Sequence, residues 1–294
     1  MRFTFHYGLL VLVAVVLAFP LQSLAWTLKP LIPGFLFVLM LFASAGFDPE
    51  ELRRVAEFKR QVGACLLVNY GLLTGFLVAA AFLFFGEIRN GNLVIAAMPP
   101  AIAVVALVSL TDKENLPMAL VSEILTYVAA LGLAPLILLS FATKVFNPLF
   151  LLQILFFFIL LPLFASQLLR KVEFLVKEKE LLSTSAFSLI TFTVVGINVS
   201  FLLEGKPSML ALLTLIHAVK TFGLGFLLLK LTGNRTYAFF ASFKNMGAAA
   251  AVSLLLFSDL ASLPVAVGII LESFLIAYSL SYWKPGKPSG GVRG

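Results

Sequence analysis

The chain has 294 residues, 61% of them hydrophobic and 12% charged, with 21 basic and 14 acidic side chains and a formal charge of +7. Soluble domains average about 25% charged and about 45–50% apolar residues, so this composition excludes a soluble globular protein and predicts a polytopic membrane protein. One cysteine, Cys65 in an apolar run, and two histidines, His6 and His217, leave no basis for a disulfide framework, a thiolate metal site or a histidine-rich centre. The positive balance reads as anchors in cytoplasmic loops rather than as a nucleic-acid surface.

A spanning helix needs about 20 apolar residues, and on that scale ten segments are predicted. The first covers about 7–26. Arg2, the apolar run and Ser23-Leu24-Ala25 also have the form of a secretory signal, but apolar character continues beyond Trp26 and favours a first membrane helix. The second lies near 31–47 and is followed by the charged DPEELRRVAEFKR; the third, about 61–85, precedes GEIRNGN, read as a short loop. The fourth, about 91–110, contains Pro99-Pro100, and TDKEN separates it from the fifth, about 116–141. After the sixth, about 147–169, comes the connector RKVEFLVKEKE, then the seventh near 182–203, the eighth near 208–231, the ninth near 236–257 and the tenth near 263–283. A tail at 284–294, KPGKPSGGVRG, is expected to be disordered.

With the amino terminus inside, fifteen of the 21 basic residues fall on the cytoplasmic side and four (Lys29, Arg89, Lys144, Lys206) on the other, leaving Lys220 and Lys244 within the membrane. That asymmetry predicts a multi-pass protein of the cell membrane with both termini cytoplasmic. Five spans in 1–141 are followed by five in 142–283, and an odd number per half makes the second repeat inverted. Pro99-Pro100 in the fourth span and Lys244-Asn245 in the ninth lie at corresponding places. Paired interruptions of this kind predict discontinuous, crossing helices around a midplane binding site. The plainer reading of the double proline is a tolerated kink.

The ninth span, TYAFFASFKNMGAAAAVSLLLF, is apolar except around Lys244, Asn245 and Gly247. A charge at bilayer depth costs about 2.5–3.5 kcal/mol on insertion scales, so it needs a partner, a cavity or a function. Glu123 in the fifth span and Glu272 in the tenth are also intramembrane, as are His217 and Lys220, which share one face of the eighth at i,i+3. Two readings stand for Lys220, lining an aqueous cavity or snorkelling to the cytoplasmic end, with the second favoured. Glu272 either faces that cavity or pairs with Lys220. Thr191, Thr193, Asn198 and Ser200 are read as packing groups of the seventh span, and Gly223 and Gly225 as places of close helix contact. HExxH, CxxC, GxSxG and GxxxxGK[ST] are absent from the sequence, so no enzyme, metal site or cofactor is expected.

Several stretches carry a family resemblance: EELRRVAEFKRQVGACLLVNYGLL, MPPAIAVVALVSLTDKENLPMALVSEILTYVAALGLAPLILL, FFASFKNMGAAAAVSLLLF and SLPVAVGIILESFLIAYSLSYW. Together they resemble the bile acid:sodium symporter family, within the bile/arsenite/riboflavin transporter group. The resemblance implies that spans one, two, six and seven form a panel that rocks against a core holding two crossed helices. It places Asn245 on the family's asparagine, Lys244 on its glutamine, and Phe240 where a sodium-binding glutamate stands. Val104, Val105 and Met118 fall on other sodium ligands, and Ser122 alone keeps an oxygen. Asn69 lies close to a glutamine of the second ion site, with a helix–helix hydrogen bond as the equal alternative. Sodium is a hard cation that wants several oxygen ligands, so both family sodium sites are expected to be absent.

Lys244 offers a substitute: its ammonium is expected to fill the space of the lost cation, paired with Glu123. Three readings stand for it, a static counter-ion, a lysine that loses and regains a proton during the cycle, and a permanently paired residue that merely fixes the crossover. The helix amino termini at Pro99-Pro100 and Asn245, together with Lys244, would attract a carboxylate. The predicted function is therefore a secondary transporter of a small organic anion working by alternating access, not sodium-dependent in the usual family way. The candidate site comprises Lys244, Asn245, Glu123, Ser122, Asn69, Pro99, Pro100, His217 and Glu272. Expected partners are the anion, the lipid bilayer and, on the proton-coupled reading, protons; sodium and nucleic acid are not expected. Alternatives are a cation/proton antiporter using Lys244 and Glu123 as its charged pair and, from another class, a membrane enzyme or a non-transporting sensor.

Overall fold

A computed structural model describes residues 2–46, 49–169 and 172–282; the tail at 284–294 lies outside the described residues. Every regular element among them is helical, as expected where lipid forces each segment to satisfy its own backbone groups.

The chain opens with α1 (Arg2–Ala18) and α2 (Gln22–Leu28), and a 3₁₀ turn then leads into α3 (Ile32–Ala43). The first helix therefore stops at Ala18, not near Trp26. Pro20 explains the stop, because it lacks an N–H and disfavours helical geometry in the residue before it. Next come α4 (Lys59–Leu66), a π-helical segment Leu67–Leu73 and α5 (Thr74–Ala81). The fourth predicted span is broken into α6 (Gly86–Ala97) and α7 (Ala103–Thr111) by residues 98–102. GEIRNGN, read as a loop from its polarity, forms the first turns of α6 instead. Its Gly91 lies so close to the Ala261 carbonyl oxygen that a Cβ would come within 2.1 Å of it, a backbone approach that glycine alone permits.

The continuous α8 (Leu116–Phe141) is followed by α9 (Pro148–Leu155), a second π segment Phe156–Leu160 and α10 (Leu161–Leu169). Then α11 (Glu173–Ile197) absorbs most of the charged connector expected before the seventh span, and α12 (Val199–Glu204) resumes after Asn198. In the last third, α13 (Pro207–Ala218), a third π segment Val219–Leu224 and α14 (Gly225–Thr232) form one rod. The ninth predicted span is likewise broken, into α15 (Arg235–Ser242) and α16 (Met246–Leu256), and α17 (Leu263–Tyr282) ends the described chain.

Among the described residues, eight helical stretches are long and apolar enough to cross a membrane: Gln22–Ala43, Lys59–Ala81, Lys113–Phe141, Pro148–Leu168, Lys177–Ile197, Pro207–Thr232, Arg235–Leu256 and Asp259–Ile276. Of the other two predicted spans, the first contributes only the shorter apolar helix Gly8–Ala18, and the fourth is the interrupted pair α6 and α7. In Arg235–Leu256, 89% of the apolar window is buried, against 28% in Gln22–Ala43. The broken ninth segment thus sits at the centre of the molecule, while the early helices present much of their surface outward. Around it, α11 packs along α1, α2 and α3, and α3 in turn touches α16.

Candidate functional site

The two interruptions meet. Prolines 99 and 100 have no N–H to give, so the helix cannot continue through them and leaves carbonyls to be claimed from outside. Ala96, four residues before Pro100, has its carbonyl taken by the Thr74 hydroxyl at 2.8 Å. Beyond it, Met98 O accepts from the Lys244 ammonium at 2.8 Å, Pro99 O from the Asn245 backbone N–H at 2.7 Å, and Pro100 O from the Tyr127 hydroxyl at 3.2 Å.

The second break is closed from the other direction. The Asn245 side chain caps α16, its Oδ1 accepting from Ala248 N at 2.9 Å, while its Nδ2 donates to Tyr127 Oη at 3.3 Å. Asn69, on the π segment Leu67–Leu73, donates its amide Nδ2 to the carbonyls of Phe240 at 2.8 Å and Phe243 at 3.3 Å. It thereby satisfies acceptors left orphaned where α15 ends.

Lys244 is fully buried at this junction. Its ammonium donates to Asn69 Oδ1 at 2.8 Å, Thr74 Oγ1 at 2.9 Å and Met98 O at 2.8 Å, and stands 4.5 Å from the centroid of the Tyr70 ring. An ammonium has three protons, and all three are used. The acceptors are an amide, a hydroxyl and a backbone carbonyl, all neutral. Since α6 and α15 both end here, the amine also lies at the negative ends of two helix dipoles.

The expected Lys244–Glu123 pair is not formed. Glu123 is fully buried on α8, yet neither of its oxygens has a hydrogen-bond partner. The lysine instead turns toward the π segment and the end of α6, where neutral oxygens already saturate it. Ser122 keeps an oxygen but aims its hydroxyl at the Met118 carbonyl of its own helix, 2.8 Å away.

Lys220 corrects a second expectation, for it does not snorkel. It is fully buried in the π segment Val219–Leu224 and forms a direct ion pair with Glu272 of α17. A carboxylate partner offsets the loss of solvation that snorkelling would otherwise avoid. The π segment carrying Lys220 packs on α15, and α17 packs on α16, so this pair abuts the crossover. His217 is buried one turn away, neither ring nitrogen has a partner, and its ring faces Gly268. Of the two glycines expected at close contacts, Gly225 qualifies, with a Cβ there meeting Ser242 Oγ at 2.0 Å, whereas Gly223 meets only Val219 of its own helical rod.

The structure thus brings Asn69, Pro99, Pro100, Lys244 and Asn245 together, sets Glu272 against them, and leaves Ser122 and Glu123 outside their hydrogen-bond network. Sequence reasoning missed Thr74, Tyr127 and the Met98 carbonyl. Thr74 lies five residues after Asn69, and both reach one amine because the intervening turn is π-helical. That i,i+5 spacing was its available signal; a backbone carbonyl leaves none. Among the described residues no cluster of three His, Cys, Asp or Glu side chains could hold a metal ion.

Residues 33–209, more than half of the chain, match the family described as Sodium Bile acid symporter family. The matched region runs from α3 into α13 and ends before Lys244. No curated protein matches the chain.

Proposed function

Because the chain belongs to the Sodium Bile acid symporter family, it is a membrane transporter and not an enzyme; we propose that its cargo is a small organic anion, moved by alternating access, with Lys244 standing in for a bound cation. The observation that carries this reading is the three-oxygen coordination of the Lys244 ammonium. Neutral oxygens converging between helix ends are what a monovalent cation would be offered. Here a tethered amine fills that place, so the positive charge needs no dissolved ion.

Counting α1 and the broken α6/α7 pair with the eight long helices supports ten segments, and the distribution of lysine and arginine supports cytoplasmic termini. Inverted repeats are supported by matched features about half a chain apart. These are the π segments carrying Asn69 and Lys220, the breaks at 98–102 and 243–245, and the carboxyls of Glu123 and Glu272. The amino termini of α7 and α16 begin just past the two breaks and carry partial positive charge for a carboxylate. Asn245 and Gly247, at the start of α16, lie against Met40, Leu36 and Leu39 of α3. The anion would bind where that panel helix closes on the crossover. With its three protons committed, Lys244 supplies field rather than a direct bond to the cargo. The antiporter alternative relied on a Lys244–Glu123 pair that is not formed.

The test is uptake into proteoliposomes of labelled carboxylates, a bile acid included, with sodium or choline outside. Uptake that is equal in the two salts and lost in Lys244→Gln is expected. Strict sodium dependence, or no carboxylate moved at all, would defeat the reading.

A further inference from the structure

Glu123 sits in the interior of α8 with no exposed surface and no hydrogen bond to either carboxyl oxygen. Hydroxyls and a thiol surround it, but their protons are aimed elsewhere. Ser122 donates to Met118 O at 2.8 Å, Thr126 to the Glu123 backbone carbonyl at 2.7 Å, Tyr70 to Thr126 O at 3.3 Å, and Cys65 to the Met118 sulfur at 3.7 Å. Tyr127 stands beside the carboxyl, yet its hydroxyl is held between Pro100 O and the Asn245 amide. A carboxylate here would be a buried charge with neither donors nor a counter-charge, which is costly.

We infer that Glu123 is a proton-binding site of the transport cycle, protonated in the conformation described and linked to the helix crossover through Tyr127. When water reaches α8 in another conformation, the carboxyl O–H bond breaks, the proton passes to water, and a carboxylate remains. That carboxylate draws the Tyr127 hydroxyl to itself, away from Pro100 O, and loosens the tie between α8 and both breaks. Reprotonation from water on the opposite side restores it. Charge on Glu123 is thereby converted into the geometry of the crossing point, while Lys244 stays a fixed cation.

The other titratable groups near Glu123 are Cys65 and Tyr70 from the third helical rod and Tyr127 on α8 itself. Among the elements packed on α8, α4 carries Lys59 and Arg60, both exposed in its first turn, α6 and α7 carry Glu87 and Arg89, both in the first turn of α6, and α9 and the π segment after it carry none. The short helices Pro49–Ala56 and Lys113–Asn115, which also touch α8, carry charges of both signs, with Arg53 and Arg54 on one and Lys113 and Glu114 on the other. None of these is an ion-pair partner of Glu123. The proton site stands on this geometry alone; only its place in a cycle rests on the transport reading.

Infrared difference spectroscopy of the full chain in lipid nanodiscs, titrated with pH, tests it. The expected result is a protonated-carboxyl band at neutral pH that is absent in Glu123→Gln, shrinks as pH rises, and shifts in Tyr127→Phe. Should Glu123→Gln fail to fold, Glu123→Asp must displace the same band. Spectra indistinguishable between wild type and the Glu123 variants would overturn the inference, as would a band unchanged over the whole pH range in which the protein stays folded. If every labelled carboxylate fails to enter proteoliposomes while the band behaves as stated, the transport reading falls and the proton site remains.

Discussion

The backbone N–H of Asn245 reaches the carbonyl of Pro99 across 2.7 Å, joining two helix breaks from opposite halves of the chain. Three consecutive carbonyls, those of Met98, Pro99 and Pro100, are each claimed by a different donor: a lysine ammonium, a backbone amide and a tyrosine hydroxyl. Unpaired backbone groups at this depth would be costly, so the breaks persist because each supplies what the other lacks.

Asn245 serves twice, as helix cap and as donor to Tyr127. Replacing a capping residue by alanine costs about 0.5–2 kcal/mol. Asn245→Ala is therefore expected to destabilise the protein by roughly that amount, with Asn245→Ser, which keeps a capping oxygen, recovering about half. Thermal unfolding in detergent checks both, and equal losses in the two variants would mean the cap is not what Asn245 contributes.

Removal of the Lys244 side chain strands three acceptors at once. Each buried group left unpaired costs about 1–3 kcal/mol, so Lys244→Ala should unfold at markedly lower temperature than wild type. The gap it leaves is lined by Asn69 Oδ1, Thr74 Oγ1 and Met98 O, a set that suits sodium or ammonium. Either ion, but not choline, should restore stability to Lys244→Ala, by about 2.7 kcal/mol at a hundred times its dissociation constant. Wild type, whose site carries its own cation, should show no such response.

Much of this arrangement was legible from one dimension. Hydropathy and the distribution of lysine and arginine mark the membrane segments, and Pro99-Pro100 marks a break because two adjacent residues without N–H are a local fact. Lys244 stands out because a charge in an apolar run is costly wherever it points. Its partner was misread because direction is not local: α15 ends at Ser242 and turns the lysine toward Asn69 and Thr74, away from Glu123. The π turn that aligns Asn69 with Thr74, and its counterpart that buries Lys220, leave no mark in hydropathy. GEIRNGN was read as a loop because its polar residues mimic one, although Asn90 and Asn92 are buried by their neighbours.

The Lys220–Glu272 pair is buried on both sides. Breaking such a pair by deleting one partner typically costs about 3–5 kcal/mol, because the survivor is left as an uncompensated charge, whereas replacing both by apolar residues is often neutral. Glu272→Gln and Lys220→Met should each destabilise strongly, and the double variant Lys220→Met/Glu272→Leu should be more stable than either. A double-mutant cycle on unfolding midpoints measures the coupling; additive losses would show that the two charges do not depend on each other.

Three glycines grade how tightly the core is closed. Within a helix, alanine is favoured over glycine by about 0.5–1 kcal/mol, so a glycine with space around it should gain from the exchange. Gly34 is such a case, with nothing within 4 Å of a Cβ, and Gly34→Ala should be neutral or mildly stabilising. At Gly225 the Cβ would meet Ser242 Oγ at 2.0 Å, a hydroxyl that can rotate away, although the Ala238 carbonyl at 3.1 Å cannot. At Gly91 the obstacle is the Ala261 carbonyl itself, 2.1 Å from the added atom, with the Pro264 ring at 3.0 Å. Backbone does not yield as a side chain does, and overpacking of this kind costs about 1–3 kcal/mol. Unfolding midpoints should therefore fall in the order Gly34→Ala, Gly225→Ala, Gly91→Ala. A Gly91→Ala protein as stable as wild type would mean that α6 and the start of α17 can move apart, and that the core around the crossover is less rigid than its contacts imply.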